Sequence, residues 1–345
     1  MIISRTPFRI SFFGGGTDYP IWYRQHGGAT LATTINRYCY LSCRWLPPFF
    51  EYASRIVWSK IEMVKENKQI QHPAVREVLR FMNVERGIEL HHNGDLPART
   101  GLGSSSSFTV CLLHALYALQ GISPEKMKLA QEAIRVEQDG LKENVGSQDQ
   151  VTVAFGGFNR IDFKQDGQIR VDPVVLDSVR LNLLQDHLML VYTGLSRNSS
   201  EIAAEQIRTT NNRKEQLRAI HQMVDEAIQI LQGKSDLDRF GQMLHESWIL
   251  KRSLTDRIST PLVDQIYETA IASGAVGGKL LGAGGGGFLL LFVRPEDRER
   301  VSQGLDGLLK VPFQFENSGS RIIFSDAEID GALNPAALSQ VTSHA

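Results

Sequence analysis

The stretch Gly94–Val110, GDLPARTGLGSSSSFTV, places two glycines and four serines directly before an apolar run. Glycine-rich and serine-rich stretches are usually flexible linkers. This one is short, and the following run, Phe108–Leu119, has apolar residues on nearly every face, which predicts a helix buried all round. A glycine loop that leads into a helix N-terminus offers unpaired backbone N–H groups and a partial positive charge. The stretch therefore predicts an anion-binding loop, with a solvated loop capped by serine as the alternative.

Two other glycine-containing segments do not fit the better-known phosphate-binding motifs. Gly233-Lys234-Ser235 lacks the glycine that a Walker A loop has five positions before its second glycine, because Ile228 stands there. Gly282–Gly287 has the spacing Gly-x-Gly-x-x-Gly, but it leads into FLLLFV, a predicted strand. A dinucleotide-binding fingerprint leads into a helix instead, so we reject a Rossmann fold.

The hydrophobic pattern predicts an α+β protein, with strands dominating the first half and helices the second. The predicted strands are Arg9–Phe13, Gly27–Ile35, Arg37–Leu46, Gly87–Leu96, Phe288–Val293 and Gly319–Ser325. The further predicted helices are Pro124–Leu141 with Ser123 as N-cap, Ser199–Leu231 with a break near Asn211-Asn212, Leu237–Leu254, Pro261–Ser273 and Pro295–Leu309. The change of character near residues 160–190 predicts two lobes, residues 1–180 and 181–345.

Composition sets broad limits on the kind of protein. The 345 residues are 42% hydrophobic and 22% charged, and the net charge of -1 gives no support to a nucleic-acid or membrane-surface partner. The three cysteines, Cys39, Cys43 and Cys111, form no disulfide framework or metal-ligand pattern, so we expect reduced thiols. No apolar stretch reaches the roughly 20 residues of a membrane span, and the N-terminus lacks a signal-peptide layout. We expect a cytoplasmic protein with small-molecule partners, and the oligomeric state stays open.

Three separated motifs resemble those of the GHMP kinases, the family of galactokinase, homoserine kinase and mevalonate kinase. They are Thr6–Pro20 (TPFRISFFGGGTDYP), Pro97–Ser107 (PARTGLGSSSS) and Gly277–Gly287 (GGKLLGAGGGG), in the family's order. The segment Glu143–Gly157 resembles the one that carries the family's catalytic aspartate. This resemblance implies an N-terminal lobe like ribosomal protein S5 domain 2, a ferredoxin-like C-terminal lobe, and an active site between them.

The resemblance also implies phosphoryl transfer from ATP to an alcohol with Mg²⁺, a reaction that depends on positioning and charge neutralisation. Asp149 matches the catalytic aspartate, either as a base or as the group that orients the hydroxyl, and Arg9 matches the family's basic residue, with Arg5 as the alternative. Ser105 and Glu137 match the magnesium ligands. The residues that match the nucleotide site are Gly101, Leu102, Gly103, Ser104, Ser105 and Ser106 of the loop, with Gly284 and Gly285 of the third motif.

The first motif resembles that of the family members that phosphorylate the anomeric hydroxyl of a sugar. The resemblance implies that Asp18 accepts hydrogen bonds from sugar hydroxyls, with Gly15, Gly16 and Thr17 beside it. A phosphate on the sugar would need local cations, and we predict Arg197 ahead of Lys251 and Arg252. A kinase of a neutral sugar and a catalytically silent sugar-binding or nucleotide-binding regulator are the alternatives.

One residue departs from the family pattern. Arg99 stands where glycine is usual before the phosphate loop. If the backbone there has a positive φ, the arginine is strained. Otherwise Arg99 is a surface cation or a cation that faces the phosphates.

Overall fold

The computed structural model describes residues 1–196, 199–234 and 236–326, and strands and helices are mixed along these ranges. The strands are β1 Ile2–Phe13, β2 Gly28–Trp45, β3 Ser54–Val57, β4 Ile61–Val64, β5 Ile88–Gly94, β6 Phe158–Phe163, β7 Ile169–Pro173, β8 Leu188–Tyr192, β9 Gly277–Leu280, β10 Phe288–Phe292, β11 Phe315–Glu316 and β12 Arg321–Ser325. The helices are α1 Pro20–His26, α2 Pro73–Phe81, α3 Ser104–Leu119, α4 Lys126–Arg135, α5 Gln148–Phe155, α6 Ser178–His187, α7 Ser199–Thr209, α8 Lys214–Gln232, α9 Asp238–Arg252, α10 Pro261–Ala272 and α11 Arg298–Gly304.

The larger sheet is built around the long antiparallel pair β1 and β2. Its strand order is β12-β1-β2-β5-β3-β4, with β6 and β11 also on β2, and β7 on β6. The two strands predicted on either side of Asn36 are one continuous strand, β2, so that prediction was wrong. Pro7 lies opposite Tyr38 but Phe8 lies opposite Ile35, so the polar pair Asn36-Arg37 is accommodated as a bulge rather than a turn.

Helix α3 packs on this sheet and is buried along most of its length, as its uniformly apolar sequence predicts. It begins at Ser104, four residues before the predicted start, so the four serines form its first turn. The next helix, α4, begins at Lys126 with Glu125 as N-cap, and the predicted cap Ser123 lies outside it. A π-helical turn, Val136–Gly140, follows α4 directly, and such turns are frequent at functional sites.

The second half contains the smaller antiparallel sheet, ordered β8-β10-β9. The predicted break in the long helix is confirmed, since a 3₁₀ turn at Thr210–Asn212 separates α7 from α8. Strand β12, from the end of the described chain, pairs with β1 and returns to the larger sheet. The α+β class is confirmed, and the lobe boundaries 1–180 and 181–345 stay a prediction.

The described chain has two apolar cores, and residues of the smaller sheet belong to both: Leu290 to the larger core and Leu289 to the smaller one. The larger core contains Ile10, Leu31 and Leu112, and the smaller one contains Trp248 and Leu289. None of the helices in the described ranges combines the length and the apolar character needed to cross a membrane.

Two glycine segments bring the halves of the chain into backbone contact. Gly101 has φ +85°, and a Cβ there would lie 2.5 Å from the Leu281 carbonyl oxygen. Gly282 has φ +71°, and its Cβ would lie 2.5 Å from the Gly101 Cα. The Phe288 N–H donates to the Thr100 carbonyl at 3.0 Å, just beyond the same contact. These positions admit no side chain, so the third glycine motif rests directly on the phosphate loop.

We predict that Gly282→Ala destabilises the protein more than Gly307→Ala does. Gly307 also has a positive φ, +79°, but its Cβ would meet nothing within 4 Å. Gly307→Ala, the matched control, should therefore lower the free energy of unfolding only by the cost of an alanine in the left-handed conformation, about 1–2 kcal/mol. Gly282→Ala adds a backbone clash and should lower the free energy of unfolding by at least about 2 kcal/mol more. Urea unfolding measures both, and equal losses would show that the close backbone contact is unimportant.

Candidate active site

A cleft lies where the phosphate loop, the first motif and the start of α5 meet the third glycine motif. Most of the predicted site residues line it. From the first half these are Arg9, Gly15, Gly16, Asp18, Gly101, Gly103, Ser104, Ser105, Ser106 and Asp149. Other wall residues are Arg99, Gly146, Gln148, Gln150, Gln206, Lys251, Lys279, Gly282 and Ala283.

The phosphate loop leads into α3 with its glycines in left-handed conformations. Gly103 has φ +74° as the N-cap, and its carbonyl accepts the first helical bond, from the Ser107 N–H at 2.8 Å. The N–H groups of the serine turn therefore have no partner within the helix, which makes an anion site. Leu102 is buried, and its carbonyl accepts from the Arg9 N–H at 3.0 Å. Leu102 thus anchors the loop to β1.

Arg99 has φ +63°, the left-handed conformation in which an arginine is strained. Its backbone N–H donates to the Ser104 hydroxyl at 3.1 Å, which ties the residue to the first turn of α3. The side chain is exposed at the rim of the cleft. Burial raises the pKa of the nearby Glu143 carboxyl, and the positive charge of Arg99 opposes that rise.

Arg9 and Asp149 form a two-bond ion pair inside the cleft. The Arg9 Nε and Nη2 atoms donate to the two carboxylate oxygens of Asp149, both at 2.7 Å. The remaining terminal nitrogen, Nη1, donates to the Gly101 carbonyl at 2.6 Å. Arg9 is 3% exposed, whereas the Asp149 side chain is 25% exposed and faces the cleft. Arg5, the alternative to Arg9, instead stacks on the Tyr38 ring.

Asp18 is the second carboxylate of the cleft and is 2% exposed. Its oxygens accept from the Gly16 N–H at 2.9 Å and the Gln148 N–H at 3.3 Å. Burial raises the pKa of Asp18 to about 6; the nearby Asp149 charge adds to the rise, and the Gly16 N–H opposes it. A Cβ on Gly146 would lie 1.8 Å from one Asp18 oxygen, so the loop before α5 closes tightly over this carboxylate.

Thr17, by contrast, does not line the cleft. Its side chain is fully buried, and its hydroxyl donates to the Gly14 carbonyl at 2.7 Å. It also accepts from the Ala29 N–H at 3.2 Å. The position of Thr17 therefore does not support the predicted substrate contact, because its hydroxyl is engaged in holding the turn that presents Asp18.

Glu137 lies in the π-helical turn, fully buried behind the serine turn of α3. Its Oε2 atom accepts from the Ser106 hydroxyl at 2.9 Å and from the Gln150 side-chain amide. Its Oε1 atom is buried and has no hydrogen-bond partner. Burial raises the pKa of Glu137 to about 7. The serine next to Glu137 is thus Ser106, whereas Ser105 is exposed on the cleft side of the turn.

The structure separates some residues that the sequence analysis grouped. Gly284 and Gly285 are buried against Ile258, whose carbonyl accepts from the Gly285 N–H at 2.8 Å. The third motif reaches the cleft through Gly282 and Ala283 instead. Arg197 lies outside the described residues, so its substrate contact stays a prediction.

Several wall residues were not predicted as site residues, among them Lys279, Gln148 and Gln206. Lys279 lies inside the third motif, whose prediction rested on its glycines. Lys251 was predicted only behind Arg197, as a cation for a sugar phosphate, and its ammonium binds the carbonyls of Leu280 and Gly282. A lysine set among apolar residues was the available signal for Lys279, and no sequence signal distinguished the glutamines.

Comparison with known proteins agrees with this arrangement. The GHMP kinases N terminal domain matches residues 67–157, and the GHMP kinases C terminal domain matches residues 226–309. The chain therefore belongs to the GHMP kinase family, whose fold the sequence predicted. It is an ATP-dependent sugar kinase of that family.

Two curated relatives span nearly all of the chain. A D-glycero-alpha-D-manno-heptose 7-phosphate kinase of Campylobacter jejuni is 27% identical over 320 residues, 88% of this chain and 93% of its own length. A galactokinase of Pyrococcus furiosus is 27% identical over 342 residues, 90% of this chain and 93% of its own length. Among solved structures, a D-glycero-D-manno-heptose 1-phosphate kinase of Bacteroides thetaiotaomicron has a TM-score of 0.77. It is 24% identical and covers 94% of this chain and 100% of its own, which supports the shared fold.

We predict that sugar binding strengthens as the pH rises through about 6. Burial raises the pKa of Asp18 from 3.8 to about 6, so the carboxyl is mostly protonated at pH 5 and ionised above pH 7. The ionised form accepts hydrogen bonds from sugar hydroxyls more strongly. The dissociation constant of an accepted sugar should therefore be about tenfold higher at pH 5 than at pH 7.5, as measured by calorimetry.

Asp18→Asn removes the titrating group and should give weak, pH-independent binding. Asp166→Asn is the matched control, because Asp166 is an exposed turn residue. It should keep the wild-type profile. A wild-type dissociation constant that does not change between pH 5 and pH 7.5 would remove Asp18 from the sugar site.

Proposed function

We propose that this kinase phosphorylates the anomeric hydroxyl of D-glycero-D-manno-heptose 7-phosphate to give the 1,7-bisphosphate, a step towards GDP-heptose for surface polysaccharide. The carrying observation is the buried Asp18 carboxylate in the same cleft as the Arg9–Asp149 pair. A carboxylate that accepts paired hydroxyls suits a polyol better than an apolar alcohol. The full-length similarity to the Campylobacter jejuni heptose 7-phosphate kinase supports the choice of sugar.

In this proposal Asp149 lies next to the acceptor hydroxyl. Its carboxylate either accepts the hydroxyl proton or holds the hydroxyl in line with the phosphoryl group. Arg9 fixes that carboxylate through two hydrogen bonds and fixes the phosphate loop through the Gly101 carbonyl. The same guanidinium thereby fixes both the carboxylate proposed to contact the acceptor and the loop proposed to bind the nucleotide, which favours a fixed distance between the two substrates.

We place the nucleotide phosphates at the serine turn of α3 and Mg²⁺ beside Glu137. The partnerless, buried Glu137 Oε1 atom fits a cation ligand, and Ser106 supplies a hydroxyl next to it, with Ser105 the nearest alternative. Within the described residues no group of three or more His, Cys, Asp or Glu side chains forms a metal site. Phosphate oxygens and water would complete the coordination, as Mg²⁺ usually requires. Bound Mg²⁺ would neutralise charge on the phosphate oxygens.

A kinase of a neutral sugar is the second candidate. The Pyrococcus furiosus galactokinase has the same identity to this chain, 27%, as the heptose kinase. An L-fucokinase/L-fucose-1-P guanylyltransferase of Bacteroides fragilis is 25% identical over 358 residues, 87% of this chain and 35% of its own length. A catalytically silent regulator is disfavoured, because Arg9, Asp149, Ser106 and Glu137 are all in contact with their partners.

A sugar panel tests the proposal directly. The purified protein is assayed with ATP and Mg²⁺ on heptose 7-phosphate, unphosphorylated heptose, L-fucose and D-galactose, and phosphorus NMR locates the new phosphate. We expect kcat/KM for the 7-phosphate to exceed that for unphosphorylated heptose by about 10- to 150-fold, the contribution of charge-assisted phosphate contacts. We expect the new phosphorus to couple to the anomeric proton.

Arg197→Ala supplies the matched variant for the panel. It should remove most of the preference for the 7-phosphate and leave the rate on unphosphorylated heptose unchanged, if Arg197 binds that phosphate. A wild-type enzyme that prefers an unphosphorylated sugar would contradict the heptose 7-phosphate assignment and support the neutral-sugar kinase. A rate of ATP hydrolysis that no sugar raises would contradict both the heptose 7-phosphate kinase and the neutral-sugar kinase.

A further inference from the structure

Two lysines that the proposed mechanism does not use extend into the cleft. Lys251 lies near the C-terminal end of α9, and its Nζ atom donates to the Leu280 carbonyl at 2.9 Å and the Gly282 carbonyl at 2.5 Å. Lys279 lies in β9, is 4% exposed, and donates to the Phe12 carbonyl at 2.7 Å. Both ammonium groups are held by neutral carbonyls rather than by carboxylates, so their charges are not cancelled by their contacts.

The charges of the other basic wall residues are already balanced or screened. Arg9 forms its two-bond ion pair with Asp149. Arg99 is exposed at the rim, where solvent screens its charge. In the described part of the chain, neither Lys251 nor Lys279 has a carboxylate within 4.0 Å. The two lysines are therefore the inner cations available to an anionic ligand.

Of the two, Lys251 is better placed for the transferred group. Burial lowers its pKa well below the ordinary value, and the positive charges of Lys279 and Arg9 lower it further. The negative charges of Asp149 and Asp18 oppose this fall in the pKa of Lys251. Burial also lowers the pKa of Lys279, to about 7, and the charge of Arg9 adds to that fall. The contacts decide between the two lysines: Lys251 binds the carbonyl of Gly282, which lies against the phosphate loop, whereas Lys279 binds a carbonyl of β1.

The contacts of Lys251 also fix its position relative to the phosphate loop. Gly282, which binds the ammonium, has its backbone against Gly101. A lysine ammonium has three N–H donors, and the carbonyls of Leu280 and Gly282 take two of them. One donor remains for a ligand. A cation held in advance at a fixed distance from the phosphates stabilises developing charge without reorganisation.

We propose that Lys251 is a further catalytic residue, whose free N–H binds the phosphoryl group as it passes from ATP to the sugar. In that step the bond between the γ-phosphorus and the β–γ bridging oxygen breaks, and a bond forms between the acceptor oxygen and the same phosphorus. The acceptor proton leaves to Asp149 or to solvent, and ADP departs with the bridging oxygen. The proposal rests on the ATP-dependent kinase activity and not on which sugar is the acceptor.

Burial and electrostatics are consistent with this assignment. In the free cleft burial, and after it the charges of Lys279 and Arg9, lower the pKa of Lys251. The negative charge of a bound triphosphate raises that pKa again, because it favours the ammonium form. An ion pair with a carboxylate would instead cancel the charge permanently. The carbonyl partners hold the ammonium in place and leave its charge for the nucleotide.

The test compares Lys251→Met with Lys310→Met in the full chain. Lys310 is also half-buried and also donates to a backbone carbonyl, that of Leu305 at 2.7 Å, but it lies outside the cleft. Dissociation constants are measured by calorimetry for ADP and for a non-hydrolysable ATP analogue. We expect Lys251→Met to raise the dissociation constant of the ATP analogue by at least about tenfold and that of ADP by less than about threefold, because only the analogue carries a γ-phosphate.

The same variants are assayed for phosphate transfer to an accepted sugar. We expect kcat to fall about 10²-fold for Lys251→Met, and Lys310→Met to match the wild type. Aminoethylation of the K251C variant, which restores an ammonium of similar length, should recover part of kcat; Cys39, Cys43 and Cys111 are buried and should not react.

Three results would overturn the proposal. They are an equal rise in the dissociation constants of ADP and the ATP analogue in Lys251→Met, a kcat of that variant within about threefold of wild type, or no recovery of kcat when K251C is aminoethylated. Lack of sugar phosphorylation by the wild type would contradict the proposed function instead. The two-nucleotide comparison would still decide the contact of Lys251 with the γ-phosphate.

Discussion

The guanidinium of Arg9 ties together the two halves of the reaction site. It binds both oxygens of Asp149 and the carbonyl of Gly101, and it is 3% exposed. A buried guanidinium is stable only when its donors are satisfied, so the carboxylate and the phosphate loop must both be in position. The geometry of the cleft therefore follows from the position of Arg9 on β1.

Close backbone packing supplies the second constraint. Gly282 lies against Gly101, and Lys251 holds the Gly282 carbonyl from the other side. The third glycine motif and the loop before α3 thus form one wall. The cleft has three carboxylates, those of Asp18, Glu143 and Asp149, and an inner pair of lysines. An anionic nucleotide and a polyhydroxyl acceptor are therefore complementary to its charges.

Much of the fold followed from the sequence, because the apolar run of α3 and the glycine motifs are strong local signals. The family resemblance assigned roles to Arg9 and Asp149, but no local pattern predicts their contact, since they are 140 positions apart. Lys251 was predicted only behind Arg197 as a phosphate-binding cation, because a lysine near a helix C-terminus also has an ordinary explanation. The pairing of Glu137 with Ser106 depends on the π-helical turn, which has no recognisable sequence signal.

The most direct test is a double-mutant cycle on Arg9 and Asp149, with kcat/KM measured on the best sugar of the panel. Asp149→Asn should lower activity by at least about 10²-fold, and Arg9→Met should cost a similar amount. If the two residues act as one unit, the double variant should be no more than about threefold worse than the poorer single variant. Losses that multiply to about 10⁴-fold would contradict the account, because they would show that Arg9 and Asp149 act independently.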